Sequence, residues 1–144
     1  MANVSLDQAS TIVDAALAKG RETECGPLTV VVLDAGGHMV AVKREDGSGI
    51  LRVEVAQGKA YGALGLGISS RAIGARNVDR APFLAALGAA AGGRMVPVAG
   101  GVLLRDASGA VVGAVGVSGD ASDKDEVAAI AGVEAAGLVA DANP

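Results

Sequence analysis

The sequence predicts an α+β fold, a mainly antiparallel sheet flanked by helices, and three observations carry that expectation. Two hairpin texts, residues 28–43 and 101–117, each place aliphatic or β-branched runs on either side of a short Asp/Gly turn. Segments of helical apolar periodicity lie before, between and after them, so the expected order is α-β-β-α-α-β-β-α. At 144 residues the chain suits a single domain, 1–144, with no linker or low-complexity stretch dividing it.

Ser5 is a capping residue, and Leu6, Ala9, Ile12, Val13, Ala16 and Leu17 recur on one helical face, so a helix opens there and stops at Gly20 or at Gly26-Pro27. Leu28-Thr29-Val30-Val31-Val32-Leu33 is β-branched and too short for a helix. Asp34-Ala35-Gly36-Gly37 supplies turn chemistry before His38-Met39-Val40-Ala41-Val42-Lys43 returns as the second strand. A helix is expected over about 51–70, then an arginine-bearing loop, then a short Ala-rich helix from near Pro82, where proline suits the first turn. The second hairpin pairs 101–105 with 110–117 across Asp106-Ala107-Ser108-Gly109. A last helix is expected over about 123–140, with Asp123, Asp125 and Glu126 at its positive end.

Composition excludes several function classes. Ala (30) and Gly (22) dominate the chain, and Tyr61 and Phe83 are its two aromatics, so stacking platforms for single-stranded nucleic acid are missing. A net charge of −4 also argues against a phosphate-backbone binder. The longest charge-free stretches, 81–93 and 107–119, are shorter than the roughly 18 apolar residues of a membrane span, and glycine breaks both. With no basic, apolar leader at its start, the chain is expected in the cytoplasm, with neither nucleic acid nor membrane as partner. One Cys, Cys25, and one His, His38, cannot make a zinc site or a disulfide within the chain, so no metal site is expected. Cys25 reads most simply as a small buried or loop residue.

Charge is unevenly spread. Residues 1–70 carry −2, residues 71–105 carry +4 through Arg71, Arg76, Arg80, Arg94 and Arg105, and residues 106–144 carry −6. The plainer expectation is that these arginines pair with the acidic last helix; the functional one is that they hold a carboxylate.

The glycine-rich texts fail as nucleotide motifs. Gly62-Ala63-Leu64-Gly65-Leu66-Gly67 falls inside an expected helix, and no Gly-Lys-Ser/Thr occurs. Gly116-Val117-Ser118-Gly119 lacks the frame of a nucleophile elbow, and the one histidine precedes it. Ser118 and Gly119 read instead as a strand leaving the sheet, with backbone N–H groups free to line a pocket. The mixed charges of Lys43-Arg44-Glu45-Asp46-Gly47 usually make a solvated turn; the functional reading is that Arg44 and Asp46 leave the sheet beside Lys59, which lies on the next helix among Ala56, Gly58, Ala60 and Gly62, so that their charges converge on a small acid. The three are expected to share a cavity, at least one of them more than half buried with its charge compensated. Tiny neighbours around Lys59 mean either a pocket wall or close packing of another subunit. His38, where the second strand begins, reads first as a solvated or cross-strand residue and only second as a ligand.

An ordered set of motifs is more specific than any one of them. It comprises 27–41 with its Asp34-Ala35-Gly36-Gly37-His38 turn, Arg44-x-Asp46-Gly47, Lys59-Ala60, Val98-Ala99-Gly100-Gly101-Val102, 112–119 and Asp125-Glu126. It resembles the GlcG/HbpS family, which includes the carboxy-terminal domain of PduO-type adenosyltransferases, over essentially the whole chain. The resemblance implies a profilin-like or roadblock-like fold and self-assembly from homodimer to homo-octamer. Some members bind haem, which makes haem a possible cofactor. Residues 1–26 lack the histidine that haem-binding members present from the amino-terminal helix, so any haem here is expected to be held more weakly or differently, with Met39, Met95, Cys25 or His38 of the partner subunit as substitutes.

Two main functions follow. The first is an oligomeric binding protein for haem or another acidic hydrophobic molecule, with Arg44, Lys59, Gly100, Gly101, Ser118 and Gly119 as ligand-binding residues. The second is a cofactor-free lyase, isomerase or hydratase on a small carboxylic or keto acid. There Arg44 anchors the substrate, Asp46 or His38 moves a proton, and Lys59 stabilises an oxyanion or enolate. A purely structural subunit is the third.

Overall fold

The computed structural model describes residues 2–143. Its elements run α1 (Leu6–Glu22), β1 (Thr29–Asp34), β2 (Met39–Arg44), α2 (Arg52–Leu66), α3 (Ser70–Arg76), α4 (Ala81–Ala90), β3 (Gly101–Arg105), β4 (Val111–Ser118), α5 (Ser122–Ala135) and β5 (Val139–Asp141). The strands form one antiparallel sheet in the order β2-β1-β4-β3-β5. The two hairpins are therefore joined through their β1 and β4 strands, with Thr29 opposite Ser118 and Val31 opposite Gly116.

Alternation along the strands divides the core into two layers. Val30, Val32, Val102, Leu104, Val115 and Val117 face α1 and α5. Val31, Leu33, Leu103 and Ala114 face α2. Each of these larger side chains is fully buried and contributes about 1.5–3 kcal/mol of transfer free energy. The α1 start is fixed by a capping box in which Ser5 and Gln8 exchange side-chain and backbone hydrogen bonds.

Three expected elements differ. Helix α2 ends at Leu66 rather than near 70, because Gly67 takes a left-handed conformation at φ +72° and its N–H caps the Ala63 carbonyl. The arginine-bearing loop contains a helix, α3, because the Ser69 hydroxyl accepts the Ala72 N–H and so caps a turn. The last helix ends at Ala135 rather than near 140: the chain turns at Gly137, and Val139-Ala140-Asp141 adds an edge strand to β3. Ala-rich α4 forms as expected from Ala81, with proline in its first turn, yet none of its residues is buried.

Candidate functional site

The site is set by how closely α2 can approach the sheet. On the face beneath α2, β4 presents Gly116 and β3 presents Gly101, and a Cβ at either would run into the α2 backbone at Ala56 or Lys59. The absent side chains let the helix settle directly on the strands. Ser70 from α3 locks the β3 end: its hydroxyl accepts the Gly101 N–H at 2.7 Å and donates to the Val98 carbonyl at 2.6 Å.

This approach buries Lys59, whose side chain is 2% exposed. Gly100 holds φ +126°, a conformation open to glycine, and a Cβ there would lie 2.8 Å from the Lys59 Nζ. The ammonium passes that gap, donating to the Val117 carbonyl at 2.9 Å and to Asp125 Oδ2 at 3.0 Å. Asp125 Oδ1 accepts the Asp120 N–H at 3.0 Å, which fixes the carboxylate at the start of α5. Burial pushes the Lys59 amine below its ordinary value, against the pull of Asp125, and pushes the Asp125 carboxyl up, against the pull of Lys59.

A second polar line runs beside this pair. Arg52, seven residues before Lys59 on α2, donates to the buried Ser118 hydroxyl at 3.0 Å. Across the register, Thr29 and Ser48 share a buried hydroxyl–hydroxyl bond of 2.6 Å, and Arg44 donates to the Ser48 carbonyl at 2.6 Å.

The expected site residues thus separate. Arg44 and Asp46 line one open recess of about 420 Å³ with Arg21, Pro27 and Glu45, in which Arg21 and Glu45 are ion-paired at 3.0 Å. Lys59 does not line it and is enclosed with Asp125, Gly100 and Gly101. It is the buried, compensated member of the three. Gly119 packs against the Pro27 carbonyl and Leu28. Asp125 and Arg52 are the partners that sequence reasoning missed.

His38 lies elsewhere, 80% exposed, with Nδ1 3.1 Å from Asp34 Oδ1 and 3.3 Å from Oδ2. Beside it begins a set of adjoining depressions. The first is lined by Asn3, Asp34, Ala35, Gly36 and His38. The next shares Ala35 and Gly36 and reaches Tyr61 and Gly65. The third shares Tyr61 and Gly65 and ends against Leu66, Leu87 and Met95 between α2 and α4. Together they form a shallow trough with small residues along its floor. The Arg94 guanidinium lies 3.8 Å from the centre of the Tyr61 ring that both inner depressions share. Of the other candidate ligands, Met39 is exposed and Cys25 is buried with Sγ 3.4 Å from the Thr23 hydroxyl.

The arginines of the middle segment are largely committed. Arg71 pairs with Glu126 of α5 and also reaches the Ala142 carbonyl, while Arg105 pairs with Asp141 just beyond the last helix. Arg80 stacks on Phe83. No helix among the described residues is long and apolar enough to cross a membrane.

Comparison with known proteins agrees with this architecture. The crystal structure of a PduOC–haem complex has a TM-score of 0.82 at 22% identity, covering 94% of this chain and 96% of that one. The crystal structure of HbpS has a TM-score of 0.80 at 28% identity, covering 93% and 90%. The Klebsiella pneumoniae protein ORFY has a TM-score of 0.83 at 24% identity, covering 95% and 92%. No curated protein sequence matches the chain. The family described as haem-degrading protein HbpS-like matches residues 4–134, and the chain belongs to that HbpS-like family.

Proposed function

We propose that the chain is a homo-oligomeric small-molecule-binding protein whose ligand is a flat, acidic, apolar molecule, with haem as the leading member of that class. The trough from His38 to Met95 carries this reading, because it offers apolar walls, a floor of Ala and Gly, an imidazole at one end and a cation at its rim. The residues fit an iron porphyrin in kind. Asp34 holds His38 Nδ1, which leaves Nε2 as the free nitrogen, the arrangement that orients an imidazole toward a metal. His38 would hold the iron and Arg94 would meet the propionate carboxylates. Bound haem supplies an iron centre for redox or oxygen chemistry. The family and the haem complex of a fold neighbour support the same class of ligand.

Haemin titration followed by absorbance tests this reading. A saturable Soret shift in the wild type that is lost in His38→Ala is the expected result. No shift in the wild type, or a shift unchanged by His38→Ala, overturns the assignment.

A second reading, the cofactor-free lyase, isomerase or hydratase on a small carboxylic or keto acid, rests on the recess that Arg44 and Asp46 share. Arg44 would anchor the acid and Asp46 would move the proton. Turnover of a small keto acid abolished by Asp46→Asn, with haemin inert, would favour it over the first.

A further inference from the structure

Three arginines of this chain are half-buried, and two of them, Arg71 and Arg105, face carboxylates. Arg52 is the third, and among the described residues it makes no ion pair. Its hydrogen-bond partner is the Ser118 hydroxyl at 3.0 Å, which engages Nη1 and leaves the rest of the fork uncommitted. That hydroxyl is itself fully buried at the end of β4, so it fixes the guanidinium in place without neutralising it. Behind it, the Lys59–Asp125 pair cancels its own charge. Arg52, Lys59 and Asp125 together therefore carry one net positive formal charge.

Arg52 opens onto a recess of about 410 Å³ whose other walls are Gly49, Ile50, Leu51 and Val55. Ile50 is 91% exposed and Leu51 68%, adjacent aliphatic side chains left in water beside an unpaired cation. The volume lies within the range of small-molecule pockets, roughly 300–1,000 Å³. A guanidinium matches a carboxylate fork to fork, and the aliphatic walls match a hydrocarbon tail. The other recess on this side, with Arg21 and Arg44, differs in kind, because it already holds Glu45 and Asp46.

We propose that the recess at the start of α2 binds an apolar monocarboxylate, with Arg52 taking the carboxylate and Ile50, Leu51 and Val55 taking the tail. The site is separate from the His38 trough and does not depend on haem binding.

Isothermal titration of the full chain with octanoate tests it, with acetate and octan-1-ol as controls lacking the tail or the charge. Octanoate binds saturably to the wild type and weakens by about tenfold or more in Arg52→Gln, the loss expected for a charge-assisted contact. Ile50→Asp, at an exposed position where folding is not at stake, weakens it similarly and leaves the haemin response unchanged. No octanoate binding by the wild type, or binding insensitive to both substitutions, overturns the proposal. So does an Ile50→Asp variant that lowers the solution mass while octanoate stays inert, which would make a second copy of the chain the occupant of this recess.

Discussion

Lys59 and Asp125 are joined at 3.0 Å, Nζ to Oδ2, with 2% and 1% of their side chains exposed, although 66 residues separate them in sequence. The pair ties α2, packed on one face of the sheet, to the first turn of α5, packed on the other. It also anchors β4 through the Val117 carbonyl. Two buried charges of this kind are tolerated because each is the other's solvent, and backbone groups take up further hydrogen-bonding capacity on both.

The pair should therefore respond to substitution as a unit. Lys59→Met leaves a buried carboxylate without its cation and should lower stability by about 3–5 kcal/mol. Asp125→Leu should do the same from the other side. The double variant should recover most of the loss. Urea melts of the four proteins measure this cycle, and additive losses would show that the two side chains act independently.

Close approach of α2 makes a second expectation. Gly116→Ala places a methyl group against the Ala56 carbonyl oxygen, where backbone rather than a flexible side chain must move. A loss of about 1–3 kcal/mol or more is expected from such overpacking. Gly65→Ala, on α2 itself, is the control, since nothing lies near its Cβ position, and should be neutral or slightly stabilising. Equal melting temperatures for wild type and Gly116→Ala would contradict the packing described.

The same pattern explains what was legible in the sequence. Strand β3 matches its expected limits, and β1 and β4 lie within one residue of theirs, because β-branched runs and Asp/Gly turns are local signals. Lys59 among small residues was read as a pocket wall or as the seat of another subunit, whereas the close packing there is with glycines of the chain's own sheet. Its partner was not readable: Asp125 looks like any acid in a helix's first turn, and only the fold brings it to Lys59. Arg52 was missed for the same reason, since Ser118 lies 66 residues on. The α3 signal was present in Ser69, one residue before the helix, but the arginines around it read more readily as a loop. Strand β5 is three residues long and pairs with an edge, too short to register against the helix text before it.

Asp120 should contribute to the acid limb of stability. The backbone N–H groups of Gly26 and Ala121 hold its carboxyl below the ordinary value of 3.8, opposed by partial desolvation and aided by Lys124 and Arg21. A carboxylate with a depressed folded-state pKa stabilises the fold above its unfolded value, and that contribution is lost as pH falls through the lower folded value. Asp120→Asn should thus reduce stability at neutral pH and flatten its decline below about pH 4. Melting temperatures from pH 2 to 7 provide the check, and parallel curves for the two proteins would remove Asp120 from the acid transition.

Helix α4 bears on assembly. Its ten residues, APFLAALGAA, carry no charge, and none is buried within the chain. A helix apolar on all sides is ordinarily enclosed, so water on most of its surface is an unstable arrangement for a lone subunit. Its alanines and Gly88 allow another backbone to approach closely, and self-association in a closed symmetric assembly would cover it. Light scattering at micromolar concentration should therefore give a multiple of the 13.9 kDa chain mass. Ala86 is exposed on this helix, and Ala86→Glu keeps a strong helix former while setting a charge in the proposed contact. The variant should shift toward the single-chain mass with unchanged circular dichroism. A wild type that scatters as one chain would remove self-assembly altogether, and a variant that keeps the full assembled mass would move the contact away from α4.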